Sequence, residues 1–343
     1  MTTPLAGSAA ASSAVPPGAV ATGRARRPGR SRPGDPGAGP AGAVGRTARR
    51  RRRLVPYLLL VPALVPVAVG LGYPLARQLV LSFQEYGLAQ QFGRPAEWVG
   101  LDNYRTLLSD PYVWGVIGRS VAFCLVNAGL TMALGMALAV LMARVGRAAR
   151  MVLQVCLLLA WGTPVLATMT VWQWLFDSQY GVINWLLAEP LGLEGMRGHS
   201  WIIEPLSFYL VATVVVVWMS VPFVVFTVYA GLLQVPTETM EAAQLDGASA
   251  WQRFRLITIP MVKPVLFVVL LLQVIWDLRV FTQIHVLQRA GAPTRETHLL
   301  GTYIYSLADE FSMAGAMATI MLVLTLALTT FYIRRMLRQE EEL

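Results

Sequence analysis

The chain is poor in charge and nearly devoid of lysine. Only 14% of its 343 residues are charged and 55% are hydrophobic, with a mean hydropathy of +0.54. A soluble domain of this size carries about 25% charged residues, so the composition points to an integral membrane protein. The single lysine, Lys263, lies between Val262 and Pro264. A P-loop requires Gly-Lys-Ser/Thr, because its lysine reaches the β/γ-phosphates. That motif is missing, so any ATP hydrolysis must reside on another polypeptide. Cysteine and histidine are equally sparse. Cys124 and Cys156 each sit inside an apolar run and read as small hydrophobes rather than as a disulfide. His199, His285 and His298 show no ligand spacing, which disfavours a metal site. Nor is there a pair of catalytic residues at helical spacing, which argues against an intramembrane enzyme.

Net charge is +9. Most of the surplus lies in one arginine-rich tail and at the ends of apolar segments, where membrane topology accounts for it better than nucleic acid does. Residues 1–53 are rich in Ala, Gly, Pro, Ser and Arg and carry few large apolar side chains, so a disordered cytoplasmic tail is expected. No apolar h-region follows a short basic start, which excludes a secretory signal.

Six apolar segments follow within residues 54–340, each near the ~20 residues that a bilayer core requires. They run approximately over 55–78, 113–143, 151–176, 206–233, 264–287 and 312–333. The expected architecture is an all-α bundle of six transmembrane helices. Arginines cluster at Arg49–Arg53, at Arg144, Arg147 and Arg150, at Arg253 and Arg255 with Lys263, and at Arg334, Arg335 and Arg338. The other three connections carry fewer for their length. Both termini are therefore expected in the cytoplasm.

Smaller features refine this plan. Gly129, Ala133 and Ala137 recur every fourth residue, a spacing that predicts close helix packing within the bundle. Gly162 and Pro164 permit a kink in the third span, and Ser220 with Pro222 a bend in the fourth. Outside the membrane, "WVGLDNYRTLLSDPYVW" and "SQYGVINWLLAEPLG" each predict a short interfacial helix.

The connection between spans four and five, residues 234–263, is unusually polar. It contains "EAAQLDGASAWQRFRLITIP" from Glu241 to Pro260. Pro236 suits a first helical turn, with Glu238 and Glu241 where the helix dipole favours negative charge. Asp246-Gly247 predicts a break, with glycine supplying a positive φ. From Ala248 a second helix is expected, with Trp251, Phe254 and Ile257 on one apolar face and Pro260 and Pro264 punctuating entry to the fifth span. This cytoplasmic helix-turn-helix fits either a linker resting in the headgroups or an element that docks into another protein.

That stretch resembles the EAA motif of permease subunits of bacterial ATP-binding-cassette importers. Glu241, Ala242, Ala243, Gly247, Ile257, Ile259 and Pro260 fall on the pattern, and Asp246, Ala248, Phe254 and Pro264 match its form in sugar permeases. "VGLDNYRTLLSD" and "TRETHLLGTYIYSLADEFSMAGAMA" are similar to corresponding stretches of the maltose-type first permease, while the tail before Arg46 has no counterpart. The resemblance implies a multi-pass bacterial cell-membrane protein with several partners: a second permease subunit, an ABC ATPase dimer, a lipoprotein or periplasmic sugar-binding protein, and membrane lipid. It implies that Glu241, Ala242, Ala243, Asp246, Gly247, Ala248, Phe254 and Pro260 couple this chain to the ATPase. ATP and Mg²⁺ would belong to that ATPase, and no cofactor to this chain. "WDLRVFTQ" and "TRETHLLGTYIY" look most like actinobacterial permeases for chitobiose- or cellobiose-type disaccharides. Permeases for trehalose, maltose or glycerol phosphate share most of these motifs.

Polar residues inside a span mark function by default. Gln273, Trp276, Asp277, Arg279 and Gln283 in the fifth span form a stripe of amide, carboxylate and indole suited to a sugar's hydroxyls and C–H faces. The same stripe fits inter-subunit or gate contacts. A membrane scaffold that recruits a protein without transporting anything is the competing class, and the polar stripe argues against it.

Overall fold

The computed structural model describes residues 59–341, with side chains through Arg338. The tail 1–53, its arginines Arg49–Arg53 and the expected span start at Val55 lie outside the described residues. The chain divides into Met1–Val65, of which residues 59–65 are described and helical, and Pro66–Leu343, which holds the packed bundle.

In chain order the described elements are α1 (Leu59–Ser82), β1 (Gln84–Glu85), α2 (Leu88–Gln91), β2 (Glu97–Trp98), α3 (Asp102–Ser109), α4 (Pro111–Arg144), α5 (Arg147–Gly162), α6 (Val165–Leu175), α7 (Val182–Ala188) and α8 (Pro205–Leu232). They continue as α9 (Thr237–Leu245), α10 (Ala250–Arg253), α11 (Ile259–Leu278), α12 (Thr282–Arg289), α13 (Thr294–Thr297), α14 (Leu300–Ser306) and α15 (Phe311–Glu341). The two short strands pair antiparallel, Gln84 opposite Trp98. Glu194–Met196 forms a single 3₁₀ turn. Otherwise the described chain is helical and loop.

Five helical stretches are long and apolar enough to cross a membrane, and α5 with α6 makes a sixth if that bent pair counts as one span. The all-α expectation therefore stands, with one correction. Segment 151–176 is no simple kinked helix: α5 and α6 meet at 102°. Thr163 and Pro164 leave the helix, both in extended conformation, because proline removes a backbone donor and drives its predecessor out of the α region. At ~1.5 Å per residue α5 spans ~24 Å, short of the ~30 Å hydrocarbon core.

Helix α4 starts at Pro111 with the Asp110 carboxylate accepting from the Tyr112 N–H, and runs unbroken for 34 residues. At its far end Arg150 closes the helix, donating from Nε to the Met142 carbonyl at 2.9 Å and from Nη2 to that of Val145 at 3.2 Å. A cation suits that helix end because the free carbonyls carry partial negative charge.

The main buried seam lies between α4 and α8, and it corrects the expected small-residue stripe. Gly129, Ala133 and Ala137 face outward, and nothing stands within 4 Å of a Cβ built on Gly129. The packed face holds Ala128, Thr131, Gly135 and Ala139 instead. A Cβ on Gly135 would lie 2.7 Å from Val224 Cβ. Spacing alone identified a helix face, and the neighbour decided which face packs. Around this seam sit Met142, Val217, Val221, Val224, Val225 and Val228. Pro222 lies inside α8 without ending it.

Both expected short outer helices are present, as α3 and α7. Asn184 of α7 is buried and anchors its loop, donating to the Ser178 and His199 carbonyls at 3.2 and 2.9 Å and accepting from the Trp201 indole at 2.5 Å. Just before it, the Asp177 carboxylate accepts from the Gln179 and Tyr180 N–H groups, which hold it below the usual carboxylate range.

Candidate functional site

The polar connection forms a tight helical elbow at one end of the bundle. Pro236 is the N-cap residue of α9 rather than its first helical residue. The helix ends in a Schellman arrangement: Gly247 N–H donates to Gln244 O at 3.1 Å and Ala248 N–H to Ala243 O at 2.9 Å. Gly247 sits at φ +80°, the left-handed region glycine adopts without a Cβ penalty. The next helix begins at Ala250, two residues later than expected, because Ser249 and Gln252 form a reciprocal capping box. Arg253 Nη1 donates to Gln244 Oε1 at 2.7 Å and ties the two arms together.

Beyond the elbow, Pro260 and Pro264, expected to punctuate entry to the fifth span, lie within a continuous helix. Helix α10 passes through a π turn at Phe254–Thr258 straight into α11, which contains both prolines. Pro260 has no N–H for the Leu256 carbonyl, and the wider π turn makes room for the missing bond and the ring. The elbow's second arm is thus one continuous helix with the fifth span as far as Leu278.

The elbow is also open. Glu241, Ala242, Asp246, Gly247 and Pro260 are exposed, while Ala243, Ala248 and Phe254 are half-buried. Leu245 is 89% exposed at the tip. Trp251, expected on a covered apolar face with Phe254 and Ile257, is 66% exposed, although its ring packs 5.7 Å from that of Phe254. A cleft of about 490 Å³ between the elbow and the α4 terminus is lined by Arg144, Val235, Met240, Arg253, Phe254 and Thr258, among others.

The polar stripe of the fifth span is not one stripe. The helix breaks at Arg279–Phe281, which places Gln283 on α12, where its amide lies 3.7 Å from Met219 Sδ. Gln273 (0% exposed) and Asp277 (3%) point into the protein, joined by a 2.9 Å bond from Gln273 Nε2 to Asp277 Oδ1. Next to them, Cys124 Sγ on α4 lies 3.4 Å from the Val274 carbonyl. Trp276 faces outward at 45% exposure, with its ring 4.9 Å edge-on to Phe223 of α8, and Arg279 is exposed. The structure therefore separates the five residues into an inward amide–carboxyl pair, an outward indole, and two residues at or beyond the break.

Sequence reading passed over two features. One is Arg119, a lone cation inside the apolar α4, whose charge within a span was the available signal. The other is an aromatic cluster at the helix break: Phe281 and His285 stack at 5.1 Å, and Tyr305 lies 4.8 Å edge-on to His285. Phe281 and His285 lie one helical turn apart, and the return of α14 brings Tyr305 to them.

Known proteins resemble this chain over most of its length. A family model, binding-protein-dependent transport system inner membrane component, matches residues 132–340, which includes the whole elbow. The chain belongs to this family. The permease protein DasB of the diacetylchitobiose uptake system of Streptomyces coelicolor is 41% identical over 89% of this chain and 94% of its own length. The permease protein MalF of the trehalose/maltose transport system of Thermococcus litoralis is 31% identical over 81% and 92%. A chain of a bacterial ABC transporter involved in importing the acidic polysaccharide alginate shares the fold, at TM-score 0.73 and 21% identity over 85% of this chain and 99% of its own. This permease is accordingly a multi-pass membrane transport subunit of the ABC importer class and not an enzyme.

Proposed function

We propose that this permease takes up a disaccharide through a pathway shared with a second permease, and that the elbow docks into an ATPase dimer. Residues 54–340 form the transport domain and 234–263 the coupling loop, with both termini in the cytoplasm of a bacterium. A sugar-binding protein delivers cargo to the opposite face. ATP and Mg²⁺ act on the ATPase, and this chain holds no cofactor.

The observation that carries the reading is the helix that runs from Ala250 through the π turn to Leu278, tied to the exposed Glu241–Gly247 arm by the Arg253–Gln244 bond. A partner that grips Leu245 between the carboxylates of Glu241 and Asp246 moves the fifth span directly. Ala242 and Ala243 keep that surface slim, Ala248 and Phe254 seat the second arm, and Pro260 shapes the turn into the span. Within the pathway, Trp276 with Phe223 offers an aromatic face to a pyranose ring. Gln273 and Asp277 sit behind it, and Arg279 and Gln283 lie at the break. The disaccharide assignment is supported by the relatives named for diacetylchitobiose and for trehalose/maltose.

Uptake of labelled diacetylchitobiose, cellobiose, trehalose, maltose and glycerol phosphate in cells with and without this chain tests the proposal. Loss of uptake of one disaccharide is expected. Unchanged uptake of every sugar rejects the assignment, and selective loss of glycerol phosphate transfers it to that substrate.

A further inference from the structure

Helices α4 and α8 enclose a second cleft at the end of the bundle opposite the elbow. It measures about 630 Å³, and Arg119 and Tyr209 line it together with Phe123, Leu130, Leu210 and Val214. Its walls are apolar except at the head. There, Arg119 Nη2 and the Tyr209 hydroxyl are both buried and lie near each other, and neither makes a hydrogen bond of good geometry to a described residue. The rest of the guanidinium is only lightly engaged: Nε donates to the His298 carbonyl at 3.3 Å, and Cζ lies 5.7 Å from the Tyr112 ring centroid. No carboxylate pairs with Arg119, since the ion pair found among the described residues is Arg197 with Glu189. Arg119 as a whole is half-buried, and a guanidinium whose inner nitrogen is sealed from water without a counter-ion is better satisfied when a ligand supplies the negative charge.

Depth identifies the ligand class. Helix α4, at 34 residues, is ~51 Å long and exceeds the ~30 Å hydrocarbon core by ~10 Å at each end. Arg119 lies ~12 Å along α4 from Pro111, and Tyr209 ~6 Å along α8 from Pro205, both close to the headgroup boundary. From Arg119 to Leu130 the cleft descends ~16 Å, which matches the half-thickness of the hydrocarbon core. Its flanks Val126, Leu130, Leu206 and Leu210 are exposed.

We propose that this cleft binds a glycerophospholipid, with its phosphate on Arg119 Nη2 and the Tyr209 hydroxyl and one acyl chain between α4 and α8. Charge complementarity at the head and an apolar groove one leaflet deep together select a phosphate-bearing lipid over a neutral one. The inference needs only a membrane-embedded chain and stands apart from the sugar assignment.

The test uses the full-length chain extracted from its own membrane with everything that co-purifies, delipidated stepwise and examined by native mass spectrometry. Dioleoylphosphatidylglycerol is the probe, and dioleoylglycerol is the phosphate-free control. Wild type should retain one phosphatidylglycerol and not the diacylglycerol. Arg119→Gln should need roughly tenfold more lipid for equal occupancy, the loss expected for one charged hydrogen bond. Leu210→Trp keeps the arginine, fills the groove and should displace the lipid, so the test survives poor folding of the first variant. Arg295→Gln, outside the cleft, should behave as wild type. Equal retention by Arg119→Gln and wild type overturns the proposal, as does equal binding of diacylglycerol. Disulfide cross-linking of Leu210→Cys to a second polypeptide in intact membranes also overturns it, because the cleft is then a subunit interface.

Discussion

Replacing Gly247 with valine isolates the elbow's backbone from its contacts. Gly247 holds φ +80°, and nothing lies within 4 Å of a Cβ built there. The substitution therefore adds no clash within this chain, and its whole effect is conformational. A left-handed L-residue costs about 1–2 kcal/mol, with β-branched side chains at the upper end. That reduces the population of the native elbow by about 5- to 30-fold. The Schellman bonds from Gly247 and Ala248 loosen together, while α8 and α11 keep their own packing. The variant should insert at wild-type levels yet lose most sugar uptake and most substrate-stimulated ATPase activity. Gly247→Asn should retain an intermediate level, since asparagine tolerates the left-handed region. Membrane abundance by immunoblot, uptake, and ATPase activity of the purified complex separate insertion from coupling. Wild-type uptake and stimulation in Gly247→Val would refute both the strain argument and the docking assignment.

Three further outcomes follow from the geometry. Gly135→Leu should destabilise the α4–α8 seam by about 1–3 kcal/mol through overpacking, while Gly129→Leu should stay within about 0.5 kcal/mol. Thermal unfolding in detergent compares them, and equal effects would mean the packed face is misassigned. Asn184→Ala removes the hub that joins α7 to Ser178, His199 and Trp201, at about 1–3 kcal/mol. Limited proteolysis of residues 178–201 should accelerate, and an unchanged rate would count against the hub. His298 is held below its ordinary value of about 6.5, first by burial and then by the Arg119 charge, so its native form is neutral. Its contribution is complete above that pH and declines as pH falls through it, because the opened loop then binds the proton that the closed loop excludes. Protection factors across residues 294–303, corrected for the intrinsic pH dependence of amide exchange, should be lower at pH 5.5 than at 7.5, and His298→Gln should abolish the difference.

Much of the elbow was legible because its determinants are local. Asp246-Gly247 marked the break, and the short polar helix before it left Glu241 and Asp246 both exposed. The start at Ala250 was missed because the Ser249–Gln252 box competes with simple helix propensity. The helix runs on through Pro260 because a π turn absorbs a missing donor, a geometry that no residue spacing announces. In the fifth span, an unbroken helix would have aligned Gln273 with Gln283. The break at Arg279–Phe281 rotates them apart, and the Asp277–Gln273 bond turns that pair inward.

Composition by itself settled that the chain lives in a membrane, because so few charges leave no soluble surface. ATP hydrolysis belongs to a separate chain, as the missing P-loop implied, and the polar run between spans marked where the helical elbow stands. These follow from hydration and local backbone chemistry, which each residue carries with it. Tertiary structure decided which glycine packs, how sharply α5 turns into α6, and that Arg119 and Tyr209 share one cleft. Each depends on what a neighbouring helix presents across a gap, and side-chain packing between distant segments leaves no period in the sequence.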